Sequence, residues 1–304
     1  MTLRPGSLDE LASLITESAA HHRALRLVGR GTWLDGGSPV ASGAEPLHLD
    51  AFGGIIEYEP GDLTITVGAA TTIAELDAVT AAHNQWCPLT PWGGDDGSVG
   101  ATIATATPGP FAHAMGLPRD LVLGLECVDG TGKVLRPGGK VVKNVAGFDL
   151  VRLMTGSWGS LAAITRVSLR LRARPAVDET WFVPLDGAAA PRAQDALRRS
   201  KTPPIACEVT EAGLFDAATT TGLLVRIAGN AAVVAAARAE LAARAEVTAL
   251  GDARGADPSS WTQLRATMTQ RAPRIPSSPE VRALNDGVRR AFDPAHILNP
   301  GIMG

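Results

Sequence analysis

The stretch with the clearest chemical character is residues 91–110, which read PWGGDDGSVGATIATATPGP. It is rich in glycine, serine and threonine and contains no lysine or arginine. Glycine allows positive φ and lets backbone N–H groups converge on an anion without an intervening Cβ, while hydroxyls add further donors. A solvent linker is the plainer alternative, but residues 99–106 are too apolar for one. The stretch therefore predicts close backbone contact with a ligand such as a diphosphate.

A second glycine-rich turn, GRGTWLDGG at residues 29–37, comes directly after a predicted strand at residues 24–28. Crevices at strand ends are where main-chain amides commonly hold nucleotide phosphates. The pattern is not a GxGxxG motif that opens a helix, so an ordinary Rossmann domain is disfavoured.

Lys143 and Asn144 are a polar pair inside an otherwise apolar run at residues 141–150. In one interpretation the lysine snorkels to solvent and the asparagine caps a turn. In the other, both side chains face a bound polar ligand.

Both strands and helices are needed to position these segments. Short strands are predicted at residues 47–50, 54–58 and 63–67, a helix at 72–83, a hairpin across the Asp-Gly-Thr-Gly turn at 129–132, and a long strand at 161–171. After residue 175 alanine dominates and the pattern reads strand, helix, strand, strand, helix and a last strand at 247–250. The expected class is α+β, with helices on one face of a second, antiparallel sheet.

Composition excludes several functions. The formal net charge of -3 lacks the basic field of nucleic-acid-binding proteins, so no nucleic acid partner is expected. The three cysteines are far apart without a CxxC motif, which predicts neither a disulfide framework nor a metal site and suits a reducing cytoplasm. No signal peptide and no transmembrane segment are predicted.

A set of motifs occurs in an order that resembles a known family. These are residues 29–37, GSVGATIAT (97–105), RDLVLG (119–124), KNVAGFD (143–149), GSWGSLAAIT (156–165) and LNPG (298–301). The chain resembles the vanillyl-alcohol oxidase or PCMH type of FAD-linked oxidases, and most closely the FAD-binding subunits of bacterial glycolate oxidases. The resemblance implies a PCMH-type FAD-binding domain of two α+β subdomains at residues 1–174 and a smaller α+β cap domain at 175–272. Residues 273–304 would return to the FAD domain.

The resemblance also implies which residues bind FAD. Residues 30–34 correspond to the first diphosphate loop and 96–101 to the second, followed by threonines along the ribityl chain and ring, a turn beneath the flavin, and main-chain groups near the isoalloxazine and adenine. The implied set is Arg30, Gly31, Thr32, Trp33, Leu34, Asp96, Gly97, Ser98, Gly100, Ala101, Thr102, Thr105, Gly109, Pro110, Gly159 and Ile164.

The sequence departs from the family pattern in three ways. Ala101 stands where paired glycines are common, which narrows the expected cofactor channel. Thr32 and Trp33 replace a histidine that some relatives bond to the flavin, so non-covalent FAD is expected. After residue 175 the chain has one histidine, His296, where catalytic relatives have a cluster.

The catalytic candidates are therefore few. Lys143 and Asn144 are the best polar pair for the flavin ring, because a cation near the ring stabilises its reduced form. Asn299 would help to position them. His296 and His113 are considered as possible bases, but a structural hydrogen-bonding role is favoured for both.

The resemblance implies an FAD-dependent oxidoreductase acting on CH–OH groups. In the first hypothesis it is a subunit of a glycolate or 2-hydroxy-acid dehydrogenase, with a second flavin subunit and an iron–sulfur subunit as partners. It would be cytoplasmic, or held at the inner face of the membrane through those partners. The alternatives are a free-standing FAD oxidoreductase and a catalytically degenerate flavin-fold subunit that serves in assembly.

Overall fold

The computed structural model describes residues 3–139, 149–214, 220–243, 254–255, 259–267 and 278–303. Within them the helices are α1 (Leu8–Ala20), α2 (Ile73–Ala81), α3 (Val99–Thr105), α4 (Ala112–Met115), α5 (Pro118–Leu121), α6 (Leu150–Met154), α7 (Ala189–Arg198), α8 (Ala231–Ala243), α9 (Ser260–Thr267) and α10 (Pro279–Phe292). The strands are β1 (Leu25–Val28), β2 (Glu45–His48), β3 (Ile55–Glu59), β4 (Thr64–Gly68), β5 (Gln85–Trp86), β6 (Val122–Asp129), β7 (Val134–Leu135), β8 (Ala162–Arg170), β9 (Arg172–Ala173), β10 (Val177–Pro184), β11 (Ala206–Thr210), β12 (Gly222–Gly229) and β13 (Arg254–Gly255). The predicted α+β class is confirmed.

The first layer is a parallel pair, β1 and β2, covered by α1. Leu3 extends it through a bridge to Leu47, and Leu298 from the C-terminal tail bridges Leu25. Leu25 and Leu298 are buried together with Ile297, so the tail is docked against the start of the chain.

The second layer is a five-stranded antiparallel sheet with the order β3-β4-β8-β6-β7. Its central strand β8 pairs Val167 with Val67 of β4 and with Leu125 of β6. These three side chains are in register and share one face of the sheet, where they form a core with residues of α2, α3 and α6. The predicted β6–β7 hairpin is present, and Asp129 Oδ1 accepts hydrogen bonds from the N–H groups of Thr131 and Lys133.

A separate four-stranded antiparallel sheet, called the second sheet below, has the order β11-β12-β10-β13. Helices α7 and α8 pack on it. Its core has Leu197 from α7, Leu241 from α8 and Val225 from the sheet. This arrangement matches the predicted antiparallel sheet with helices. The strand predicted at residues 247–250 lies outside the described residues.

An aromatic cluster joins the second sheet to the first half of the chain. Trp86 and Phe111 lie edge to face at 5.4 Å, and Phe111 also contacts Trp261 of α9. The guanidinium of Arg226 lies 5.0 Å from the Phe111 ring centroid while it pairs with Asp178. This contact fixes the second sheet beside the residues that follow α3.

Helix α3 is an element that the sequence analysis did not assign. Glycine and threonine are weak helix formers, which is why the pattern read as a loop. Ser98 caps the helix by accepting a hydrogen bond from the Ala101 N–H, and Ala106, with φ of 51°, ends it. The glycine-rich stretch at residues 91–110 therefore contains a turn followed by two turns of helix.

Candidate functional site

A cavity of about 110 Å³, partly open to solvent, lies where β1 ends and α3 begins. Four segments form its walls: the turn after β1, the start of α3 with the end of β4, the turn before β8, and the C-terminal tail. Residues far apart in sequence thus meet at one site.

The turn after β1 supplies the first wall, from Gly29 to Leu34. A Cβ on Gly29 would lie 2.9 Å from Ser98 Oγ, so this turn packs directly against the start of α3. Gly31 has φ of 78°, which an L side chain adopts only under strain. The local fold therefore depends on glycine, as the pattern of the turn predicted.

The start of α3 is fixed against the end of β4 by backbone hydrogen bonds. The Gly100 N–H donates to the Ala69 carbonyl at 2.8 Å, and the Val99 N–H donates to the Thr71 carbonyl at 2.9 Å. A Cβ on Gly100 would lie 2.6 Å from that of Ala69, so the helix can sit this close only with glycine there. The second wall is consequently held by main-chain contacts rather than by long side chains.

Asn299 connects the remaining walls. Its Oδ1 accepts a hydrogen bond from the Leu27 N–H at 2.7 Å, and its Nδ2 donates to the Trp158 carbonyl at 2.8 Å. The residue is buried, and one amide thereby ties β1, the turn before β8 and the tail together. Trp158 in turn lies 6.1 Å from Trp33, edge to face, across the first wall.

The chemistry of the cavity lining suits an anion. Among the described residues that line it, Arg26 and Arg30 carry positive charge, Thr32, Ser98 and Thr105 carry hydroxyls, and no Asp or Glu is present. Amide and guanidinium donors without a competing carboxylate are what a diphosphate requires. The rest of the lining is mostly apolar and includes Val28, Ala104 and Ile164, which suits a planar ring system.

Comparisons with known proteins agree with this donor set. Residues 1–138 match the model of the FAD binding domain family FAD_binding_4. Residues 1–138, just under half of the chain, are similar to that FAD binding domain. FAD is thus the cofactor that this similarity supports.

Relatives of this FAD-binding domain include glycolate oxidase subunit GlcE of Escherichia coli, which is 38% identical over 140 residues, covering 46% of this chain and 39% of that protein. Glycolate oxidase subunit GlcD of Bacillus subtilis is 30% identical over 178 residues, covering 59% and 38%. D-lactate dehydrogenase of Archaeoglobus fulgidus is 30% identical over 171 residues, covering 56% and 38%. The matches span well under half the length of these curated relatives.

The whole chain resembles a solved structure of alkyldihydroxyacetonephosphate synthase. The TM-score is 0.74 with 15% sequence identity, and the match covers 98% of this chain and 76% of that one. At this identity the likeness concerns the fold alone. It confirms the PCMH-type FAD-binding fold.

Most residues implied to bind FAD line the one cavity. Those that do are Arg30, Gly31, Thr32, Trp33, Leu34, Ser98, Gly100, Ala101, Thr105, Gly159 and Ile164, and the catalytic candidate Asn299 lines it as well. Both glycine-rich segments of the FAD-binding domain thus face the same space.

Five implied residues do not line the cavity, namely Asp96, Gly97, Thr102, Gly109 and Pro110. Thr102 lies on the buried face of α3, and its hydroxyl donates to the Ser98 carbonyl. Gly109 packs so closely on the Thr90 carbonyl that a Cβ would overlap it. Lys143 and Asn144 lie outside the described residues.

The two histidines considered as possible bases, His113 and His296, also lie outside the cavity lining. His113 Nε2 is 2.9 Å from the Pro204 carbonyl, which links α4 to the second sheet. His296 is exposed, and its N–H donates to the carbonyl of the buried Asp293.

Arg26 and Trp158 line the cavity although sequence reasoning did not select them. Arg26 sits in the alternating strand β1, and its guanidinium donates to the Leu34 carbonyl at 2.8 Å. The alternation alone could have shown that Arg26 points away from the core. Trp158 has φ of 54°, a conformation for which the sequence carries no signal.

The described residues show no group of three or more His, Cys, Asp or Glu able to hold a metal ion. In the same part of the chain, none of the helices has the length and hydrophobicity to cross a membrane.

Proposed function

We propose that this chain is the FAD-binding subunit of a 2-hydroxy-acid dehydrogenase of the glycolate oxidase type. The observation that carries the proposal is the cavity in which two glycine-rich segments meet, lined by neutral donors and two arginines. The names of the relatives, glycolate oxidase subunits and D-lactate dehydrogenase, support the substrate class.

The described residues would hold FAD without a covalent bond. Backbone amides of residues 30–34 and the hydroxyl of Ser98 would bind the diphosphate, with Arg30 beside it. Trp158, Ala104 and Ile164 would cover the ring systems. Among the described residues that line the cavity there is no histidine, cysteine or tyrosine to bond to the flavin, in keeping with the proposed non-covalent binding.

Bound FAD would supply a two-electron acceptor for oxidation of the CH–OH group. Lys143 and Asn144 are the proposed polar pair at the ring. Asn299 is proposed to act there too, and its amide is held by Leu27 and Trp158. All three residues are tested by substitution against the rate of flavin reduction.

Electrons are proposed to leave through partners, a second flavin subunit and an iron–sulfur subunit. Cys87, Cys127 and Cys207 are buried, and burial raises the pKa of each thiol to about 12. Such thiols stay protonated and are poor cluster ligands. Unpaired, buried thiols also support a reducing, cytoplasmic location, with any membrane contact made through partners.

The proposal divides the chain into an FAD-binding domain at residues 1–174, a cap at 175–272 and a C-terminal segment at 273–304. The second sheet lies within the cap range, and its core is separate from that of the five-stranded sheet. The contacts of Leu298 and Asn299 with β1 support a returning tail.

Anaerobic mixing with a hydroxy acid tests the proposal. Glycolate, D-lactate and D-2-hydroxyglutarate are added separately to the FAD-loaded chain, alone and with the partner subunits, and visible flavin absorption is followed. Bleaching only in the complex supports the proposal, whereas bleaching of the isolated chain identifies a free-standing oxidoreductase. Two outcomes identify an assembly subunit: the chain does not bind FAD, or none of the acids reduces its FAD in either setting. Ala101 favours this alternative.

A further inference from the structure

Helix α9 of the second half contacts the segment that leads into α3. Arg265, on α9, donates from Nε to the Pro91 carbonyl at 2.8 Å and from a terminal nitrogen to Asp95 Oδ1 at 2.6 Å. The Gly93 N–H donates to the Arg265 carbonyl at 2.8 Å. Three hydrogen bonds thus join one arginine to residues 91–95.

Arg265 is buried, with 7% of its side chain exposed, while Asp95 is 32% exposed. A buried guanidinium is stable only when it is paired and hydrogen-bonded, and the removal of one partner leaves the other charge uncompensated. Residues 91–95 are therefore held in one conformation as long as α9 is in place.

The contact continues from Asp95 to the cavity. The Asp95 carbonyl accepts a hydrogen bond from the Ala74 N–H, and the Gly97 carbonyl accepts one from the Ile73 N–H, both in the first turn of α2. Ser98 follows directly and lines the cavity opposite Gly29. A shift of residues 91–95 would move Ser98 and the start of α3.

We propose that Arg265 is a positioning residue for FAD, which acts through residues 91–98 and not by contact with the cofactor. It makes the cofactor affinity of the first half depend on the docking of the second half. This proposal rests on the assignment of the cavity to FAD under the proposed function.

The test compares FAD dissociation constants and the visible circular dichroism of bound flavin. Arg265→Gln leaves Asp95 without its cation, so residues 91–98 are no longer held in place. We therefore expect FAD binding to weaken about tenfold or more. Arg265→Lys keeps the charge but not the forked geometry and is expected to give an intermediate loss. Asp95→Asn combined with Arg265→Gln should bind FAD no more weakly than Arg265→Gln alone, because the two side chains act as one unit.

Arg238→Gln is the matched control, because Arg238 pairs with Glu179 on the second sheet and is 51% exposed. It is expected to change FAD affinity less than about twofold, as for most surface ion pairs. If Arg265→Gln lowers thermal stability but leaves FAD affinity and the flavin spectrum unchanged, the arginine is only structural and the proposal is wrong. If Arg265→Gln does not fold, Asp95→Asn decides by the same two measurements. Failure of the unaltered chain to bind FAD would overturn the proposed function itself.

Discussion

Single residues set the shape of the cofactor site mainly by being small or by bridging backbones. Gly29 and Gly100 allow two walls to approach, and Asn299 joins three segments through one amide. The glycines could be predicted, because only their backbone freedom and lack of a Cβ explain such patterns. The partners of Asn299 could not, since they depend on a contact across 272 residues of sequence.

Gly100→Ala is expected to move α3 away from β4. The added Cβ would lie 2.6 Å from the Ala69 Cβ and 2.9 Å from the Ala69 carbonyl oxygen. Overpacking of this kind costs about 1–3 kcal/mol of unfolding free energy. We expect that loss in urea unfolding together with a lower flavin content.

Gly61→Ala is the control for this substitution, because a Cβ there meets no atom within 4 Å. It should change stability by no more than about 0.5 kcal/mol. Equal flavin content in the two variants would show that the start of α3 does not form part of the FAD site.

Glu208 on β11 gives a pH-dependent prediction. Burial raises the pKa of its carboxyl above the ordinary value of 4.5, although Arg198 and Gln194 hydrogen bonds act in the opposite direction. A raised pKa in the folded state means that the folded protein binds the proton more tightly than the unfolded chain does. Glu208 therefore contributes stability below about pH 4.5 that is lost as the pH rises through the folded-state pKa.

The measurement is urea unfolding of the unaltered protein and of Glu208→Gln across this pH range. The unfolding free energy of the unaltered protein, relative to the variant, should fall as the pH rises. A rise instead would mean that attraction by Arg198 outweighs burial at this site.

At the scale of elements, the sequence pattern predicted β3, β4, β6 and β8 of the five-stranded sheet and β10, β11 and β12 of the second sheet, but not β13. The β6–β7 hairpin followed from its turn sequence, because that sequence provides both the tight turn and the side-chain acceptor Asp129. Helix α3 was missed, because its stability comes from the Ser98 cap and packing against β4 and not from helix propensity. Arg265 was missed as well, since no local pattern reveals a partner 170 residues away.

The docked tail gives the prediction that belongs to this scale. Leu298 is 1% exposed and packs with Leu25 beside the wall that contains Asn299. Leu298→Ala should lower the unfolding free energy by about 2–5 kcal/mol, the usual cost of a large-to-small change in a core. It should also weaken FAD binding, because the tail forms part of the cavity.

The comparison for this variant is Leu284→Ala on α10, where the side chain is 67% exposed. Stability and FAD affinity should stay close to those of the unaltered protein. If Leu298→Ala behaves like Leu284→Ala, the tail does not support the site.

At the scale of the whole molecule, residues 26–164 and the C-terminal tail supply the cavity walls, and the second sheet is attached beside them. The aromatic cluster around Phe111 and the hydrogen bonds of Arg265 make this attachment. The sequence resemblance predicted the cofactor and the fold. It could not predict how the two halves contact each other, because that interface is built from side chains outside the recognised motifs.

The most direct test of this account is a titration of the purified, flavin-free chain with FAD, followed by acid precipitation. We predict saturable binding of one FAD per chain, with all of the flavin released into the supernatant by acid. No saturable binding would contradict the assignment of the cavity, and flavin that stays with the precipitated protein would contradict non-covalent attachment.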